Sequence, residues 1–245
     1  MWTVDSLREI EKPIKLEDLN LKLYAKFFQK HLSNRKYFIE LQNGQILNFT
    51  IRDEHFPHLI ALHYFIDKSN ENFKLHKISE LKKNKGFNNL INGDIELKDL
   101  LSVYTGKGKN RKKVFKNYKE RILGFPFAYQ MLRKSGLFVF KPKKKTTIKG
   151  DYLFARDIEG SKYHFIFIND SGVKEDNYVP ITFITTKPKD FNFFNPEESI
   201  KVNKITIKNL LDNTTEEYIF ENIDFTIEVQ QEVAQTSIEK ENDDK

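Results

Sequence analysis

Residues 152–170 read Tyr152-Leu-Phe-Ala-Arg-Asp-Ile-Glu-Gly-Ser-Lys-Tyr-His-Phe-Ile-Phe-Ile-Asn-Asp170. Two runs dense in Tyr, Phe and Ile flank Gly160-Ser161, which predicts strands over Tyr152 to Arg156 and Tyr163 to Ile168 joined by a turn. Leu137 to Lys141 precedes them in the same style, and Tyr178 to Thr185 follows after Asp170-Ser-Gly172. No helical interval separates these runs, so they predict a mainly antiparallel, meandering sheet rather than βαβ crossovers.

Upstream the pattern is different. Leu16 to Leu32 places Leu19, Leu23 and Phe27 at helical spacing, widened by Leu16, Tyr24 and Phe28, and predicts an amphipathic helix. Tyr37 to Leu41 and Ile46 to Ile51 alternate around Asn43-Gly44, the dipeptide that best accepts a type I′ turn, and predict a β-hairpin. Asp53 is a candidate N-cap for a helix starting at His55-Phe-Pro-His, with Pro57 in its first turn, ending near Asp67 to Asn70. Further helices are expected at Ile78 to Lys83, Leu97 to Tyr104 and Arg111 to Lys134, the last interrupted at Gly124 and Pro126. Ile200 to Ile207, Glu217 to Phe220 and Phe225 to Val229 add strands. The fold class is α+β: an N-terminal helix and hairpin, central helices, then the sheet.

At 245 residues, with 39% hydrophobic residues and 22 Phe, the chain can bury a sizeable core. It has no cysteine, which removes disulfides, thiolate nucleophiles and Cys-type zinc sites, and makes a reducing cytoplasm the expected compartment. Residues 1–11 lack the apolar run of a secretory signal, and no stretch approaches a membrane span. No metal or other cofactor is expected.

The net charge of +6 is unevenly spread. From Lys107 to Lys149 there are fifteen Lys or Arg against Glu120 alone, and from Leu210 to Lys245 eleven acids against Lys240 and Lys245. Lys107, Lys109, Arg111, Lys112, Lys113 and Lys116 form one basic cluster with Lys119 and Arg121; Lys143, Lys144 and Lys145 form another with Lys141 and Lys149. Gathered on one surface, they would attract the phosphates of RNA or another nucleic acid. Tyr104, Phe115, Tyr118 and Tyr152 are interleaved and suit stacking on unpaired bases. Otherwise the lysines are a solvated face and the rings belong to the core. The acidic end, expected to be disordered beyond Gln231, solubilises the chain or competes for the basic surface.

Three imidazoles crowd the helix after the hairpin. His55 and His58 share a face, whereas His58 and His63, five apart on a continuous helix, diverge. Histidine titrates near neutral pH, which suits acid/base work, and two such rings are short of a zinc site. The alternative is a helix start in which they bond the backbone. Gly106-Lys-Gly-Lys lacks the phosphate-loop ending, Asp94 with Glu96-Leu-Lys98 lacks the strand that a metal-dependent nuclease element needs, and Gly-x-Ser-x-Gly is absent.

The hairpin, His55-Phe-Pro-His-Leu-Ile-Ala-Leu62, Arg121-Ile122, Asp151-Tyr-Leu153, Tyr163-His-Phe-Ile-Phe167 and Tyr178-Val-Pro-Ile-Thr-Phe183 together resemble the phage and mobile-element families of the barnase, EndoU, colicin and RelE-like (BECR) nuclease group. Phe56-Pro-His-Leu59 and Pro180-Ile-Thr-Phe183 are the most specific pieces, and the likeness runs from about Lys36 to Phe191. It implies a compact α+β nuclease core over residues 36–195, with an N-terminal helical extension (1–35), an additional β segment (196–230) and an acidic tail (231–245). It also implies metal-independent ribonuclease activity and use as a toxin or effector, with an antitoxin or immunity protein as a possible partner. By motif position the site residues are His58, Arg121, Tyr163 and Thr182, with His55, His164 and Lys145 in reserve. Tyr163 and His164 alternate faces, so one of them at most enters a shared groove.

Without a metal, RNA is cleaved by its own 2′-hydroxyl once that proton is removed and the phosphate charge is balanced. His58 or His55 is expected as base or acid, Arg121 and Lys145 at the phosphate, and Thr182 or Tyr163 as a hydrogen-bond donor to a phosphate oxygen. Two competing readings are a non-catalytic nucleic-acid-binding or antitoxin-like module, and a phage protein that binds a host protein through its Phe-rich surface.

Overall fold

The computed structural model describes residues 2–65, 85–105, 112–142, 146–170, 177–187 and 193–220. The helix expected at Ile78 to Lys83, the strand at Phe225 to Val229, the acidic tail, and Lys107, Lys109, Arg111, Lys143, Lys144 and Lys145 lie outside the described residues.

Helix α1 (Leu21–His31) starts later than its apolar spacing suggests, because Asn20 accepts the Leu23 N–H at 2.9 Å and caps it; Leu16–Asp18 forms a separate 3-10 turn. Strands β1 (Arg35–Leu41) and β2 (Ile46–Ile51) make the expected hairpin, with Gly44 at φ 83° in the turn. After β2 comes helix α2 (Phe56–Leu59), which is far shorter than the helix expected there. Helix α3 (Lys85–Asn92) carries no clear cap signal in the sequence and was not anticipated. Helix α4 (Leu97–Leu101) stops short of Tyr104, since Tyr104 pairs with Lys113 in a small ladder of β3 (Tyr104–Thr105) and β4 (Lys112–Lys113). The long basic helix is two, α5 (Phe115–Leu123) and α6 (Phe127–Lys134), broken at Gly124 to Pro126 as expected.

Strands β5 (Gly136–Val139), β6 (Tyr152–Ile158), β7 (Ser161–Asn169) and β8 (Asn177–Thr186) follow as an antiparallel meander. Then come β9 (Ser199–Ile200), β10 (Val202–Asn209) and β11 (Thr215–Ile219). Nine strands join one sheet in the order β11-β10-β1-β2-β8-β7-β6-β5-β9. All neighbours are antiparallel except β2 and β8, which run parallel where Asn48 faces Asn177 and Phe49 faces Tyr178. The hairpin is thus welded into the meander on one side and extended by β10 on the other.

One face of the sheet packs on the helices in a core cluster that runs from Leu7 to Phe220, across the divisions expected near residues 35 and 195. Tyr163, Phe165 and Phe167 of β7 point into it. The other face carries a smaller cluster built from Phe138, Phe140, Leu153, Ile166, Phe193 and Phe194. Phe56, the first residue of α2, stacks on Phe28 at 4.8 Å and meets Phe125 edge-on at 5.2 Å, so α2 is clamped between α1 and the α5–α6 turn.

Gly124 sits in that turn with Tyr163 directly against it, and a Cβ there would overlap the ring. Gly124→Ala is therefore expected to lower unfolding stability by about 1–3 kcal/mol through overpacking, read as a drop in the urea midpoint. Ala at Gly44, where nothing lies near, meets only the strain of its positive φ.

Candidate active site

The two most specific motifs of the sequence meet in space. Phe56-Pro-His-Leu59 forms α2, and α2 packs on β8, the strand that carries Pro180-Ile-Thr-Phe183. Within β8 the register slips: Ile166 faces Thr182 but Phe167 faces Pro180, which leaves Ile181 as a bulge with no cross-strand partner. Pro180 has no N–H to give the ladder, which explains the irregularity there. The backbone of this bulged Ile181 lies beside the His58 ring and favours its protonated form. His58 itself is exposed, so its imidazole is open to solvent.

Arg121, on the last turn of α5, is 6% exposed. Its Nε donates to the Leu59 carbonyl at 2.8 Å and its Nη2 donates to the His58 carbonyl. These are carbonyls that a continuing helix would use for the amides four residues on. With the guanidinium holding them, α2 ends and Ala61 turns left-handed at φ 65°. Such backbone costs an alanine roughly 1–2 kcal/mol.

The reversal at Ala61 corrects the expectation for His63. On a straight helix it would diverge from His58, but after the turn its ring lies parallel to that of His58, centroids 4.0 Å apart and planes 12° apart. Tyr64 follows His63 at 3.9 Å, and Tyr118 of α5 lies flat on Tyr64 at 4.5 Å and 8°. Four rings therefore form one column beside Arg121. His63 and Tyr64 were not singled out as site residues, and no sequence spacing signals them once helical geometry is assumed.

The electrostatics are unusual. No carboxylate pairs with Arg121 among the described residues; its titratable neighbours are the neutral phenols of Tyr64 and Tyr118 and the imidazoles of His58 and His63, and burial lowers its pKa to about 10. Burial, followed by the Arg121 charge, also lowers the His58 pKa. His63 falls to about 3 through burial, then His58 and Arg121. His55 falls to about 4, mainly through burial and then Arg52. His55 also accepts the Arg52 N–H on Nδ1 at 3.0 Å, so its lone pair is already engaged and Nε2 carries the proton.

The remaining motif residues lie apart. Tyr163 is 1% exposed in the main core, against Phe127 at 5.1 Å and Phe183 at 5.9 Å, and burial raises its pKa. Thr182 faces Ile166 across the ladder and so belongs to the opposite side of the sheet. His164 shares that side; it is fully buried among Phe193 and Phe194, bonded to Thr186 at 3.0 Å, with its pKa lowered to about 3 by burial. Tyr163 and Thr182 thus cannot meet His58 in one groove in this arrangement. Of the basic residues, Lys112, Lys113 and Lys116 are exposed on β4 and the start of α5, the helix that also carries Tyr118 and Arg121. Lys141 is paired with Glu198 at 2.6 Å, and Arg133 is buried against Tyr129 and Tyr218. No cluster of three metal-ligating side chains occurs among the described residues, and no described helix is long and apolar enough to cross a membrane.

A family model described as phage-Barnase-EndoU-ColicinE5/D-RelE like nuclease 4 (PBECR4) matches residues 20–222, from just before α1 to just past β11. The chain belongs to this nuclease family. No curated protein and no solved structure matches it. A PBECR4 nuclease acts on nucleic acid, and its matched span takes in α2, α5 and β8, the three elements that meet at His58.

Four imidazoles, His31, His55, His63 and His164, have folded pKa values of about 4 or about 3, below the unfolded value near 6.5. The unfolded chain therefore binds more protons as pH falls through that window, and stability is lost progressively from about pH 6.5 toward 4. Urea midpoints at pH 7, 5.5 and 4.5 should decline in that order. His63→Phe, which keeps the ring column, should flatten the slope, and a flat profile in the parent protein would contradict the assignment.

Proposed function

We propose that this PBECR4 nuclease cleaves RNA without a metal ion, by attack of the substrate's own 2′-hydroxyl, in a toxin or effector of a phage or mobile element. The observation that carries the reading is Arg121: a buried cation, without a carboxylate partner among the described residues, whose two backbone acceptors belong to the helix that presents the exposed imidazole of His58. A buried charge without a counterion is costly, by several kcal/mol, unless hydrogen bonds and a ligand compensate it. A phosphodiester supplies the missing anion.

In this mechanism His58 takes the proton of the 2′-hydroxyl. The O2′–P bond forms and the P–O5′ bond breaks, leaving a 2′,3′-cyclic phosphate, and the departing O5′ takes a proton from water. Arg121 stabilises the charge that builds on the non-bridging oxygens, from a position fixed before the substrate arrives. His55, with its lone pair engaged, serves as a neutral donor rather than as the base. Lys112, Lys113 and Lys116 draw the polyanion toward α5, the role expected also of Lys107, Lys109, Arg111, Lys143, Lys144 and Lys145. DNA lacks the nucleophile and is not cut.

Purified protein incubated with RNA in EDTA should produce fragments ending in cyclic phosphate, and His58→Ala should slow the reaction by about 10²–10⁴-fold. Because the His58 pKa is lowered from 6.5, the acid limb of kcat/KM should lie below pH 6.5. Cleavage abolished by EDTA, or equal in the parent and His58→Ala, retires the mechanism.

A further inference from the structure

The column His58, His63, Tyr64, Tyr118 has a form that core packing does not require. Its centroid spacings are 4.0, 3.9 and 4.5 Å, and both end pairs are nearly parallel, at 12° and 8°. Elsewhere the core aromatics mostly meet tilted or edge-on, as Phe49 does with Phe167 at 80° and Phe56 with Phe125 at 63°. The column is also at the surface. Tyr64 is 48% exposed and His58 is exposed, while Tyr118 is half-buried.

The middle pair, His63 and Tyr64, is tilted by 43°, so the column is two parallel pairs joined at an angle, and the flat ring of Tyr118 at its end is a surface on which another flat ring can stack. Every nucleobase offers a π-face to such a column, and the resulting contact tolerates any sequence. A paired base offers none, because its faces are already covered within the duplex. The charge beneath the rings completes the argument. Arg121 lies close enough to the Tyr64 and Tyr118 phenols to be influenced by both, and two of its donors are spent on backbone carbonyls. Its Nη1 has no hydrogen-bond partner among the described residues. A stacked base and a bound phosphate can therefore be held side by side.

We infer that the four-ring column is a base-stacking subsite that selects unpaired nucleotides, so that this nuclease takes single-stranded RNA segments, loops and ends in preference to duplex. Resting on the proposed ribonuclease reading, the subsite places one unpaired base as an extension of the column while the adjoining phosphate meets Arg121. Tyr118, at the end of the column, faces the base, Tyr64 backs it, and neither takes part in proton transfer.

The test uses the full chain and a fluorescein-labelled ten-nucleotide strand with deoxyribose throughout, which the proposed chemistry does not cut, alone and annealed to its complement. Anisotropy titrations at fixed salt should show the single strand binding at least tenfold more tightly than the duplex. Tyr118→Ala should weaken single-strand binding by about 5–100-fold, the range expected for one lost stacked base, and leave duplex binding unchanged. Tyr118→Trp keeps a flat face and should retain the preference. Thermal melts of each variant report folding: a lower Tm with an unaltered Kd would show that the column is packing only and overturn the proposal. Equal affinity of the parent protein for strand and duplex would overturn it too. Cleavage of the matching RNA is scored separately. Preferred single-strand binding without cleavage retires the ribonuclease mechanism and keeps the subsite, whereas cleavage with a Tyr118→Ala variant unaltered in its single-strand Kd retires the subsite alone.

Discussion

The guanidinium of Arg121, buried and bonded to the carbonyls of Leu59 and His58, is the contact on which the architecture of the candidate site turns. Hydrogen bonds to a charged group are worth about 1.5–3 kcal/mol each, and taking a cation out of water costs several. Two bonds offset much of that penalty without cancelling the charge. The residual field is what an anion would meet. Without the guanidinium, the Leu59 carbonyl would lose this partner and the His58 carbonyl would keep only the Ala61 N–H.

A second constraint acts from the opposite side of α2. Pro180 interrupts the hydrogen-bond ladder of β8, Ile181 bulges, and its backbone lies beside the imidazole that Arg121 has already positioned through the backbone. Helix and strand each have a local irregularity, and both irregularities serve one residue. Neither would persist in an element with ideal geometry, which is the usual place for strain to be found near chemistry.

Much of this was legible in the sequence, and the unreadable part has a common cause. Asn43-Gly44 announced the hairpin, and the Tyr, Phe and Ile runs announced the meander, because turn chemistry and strand alternation are local signals. Arg121, His55 and His58 were marked as site residues, but the sequence could not show that Arg52 occupies the lone pair of His55. Periodicity also misplaced His63, since it assumes that a helix continues, and the residue that stops it lies about sixty positions downstream. Tyr163 and Thr182 were grouped by motif, yet β-strand alternation and a one-residue bulge put them on opposite faces of the sheet. The parallel contact between β2 and β8 and the pairing of β10 with β1 are long-range matches that no window of residues contains.

The pairing of β10 with β1 has a consequence for how the molecule comes into being. On the ribosome the hairpin emerges early, but one flank stays bare until residue 177 begins to supply β8 and the other until residue 202 begins to supply β10. Loop closure over so many residues makes such contacts late and slow to form. The helix that bears His58 is therefore braced only when nearly the whole polypeptide has left the exit tunnel. A nuclease of this design completes the surroundings of His58 only after β8 has been synthesised.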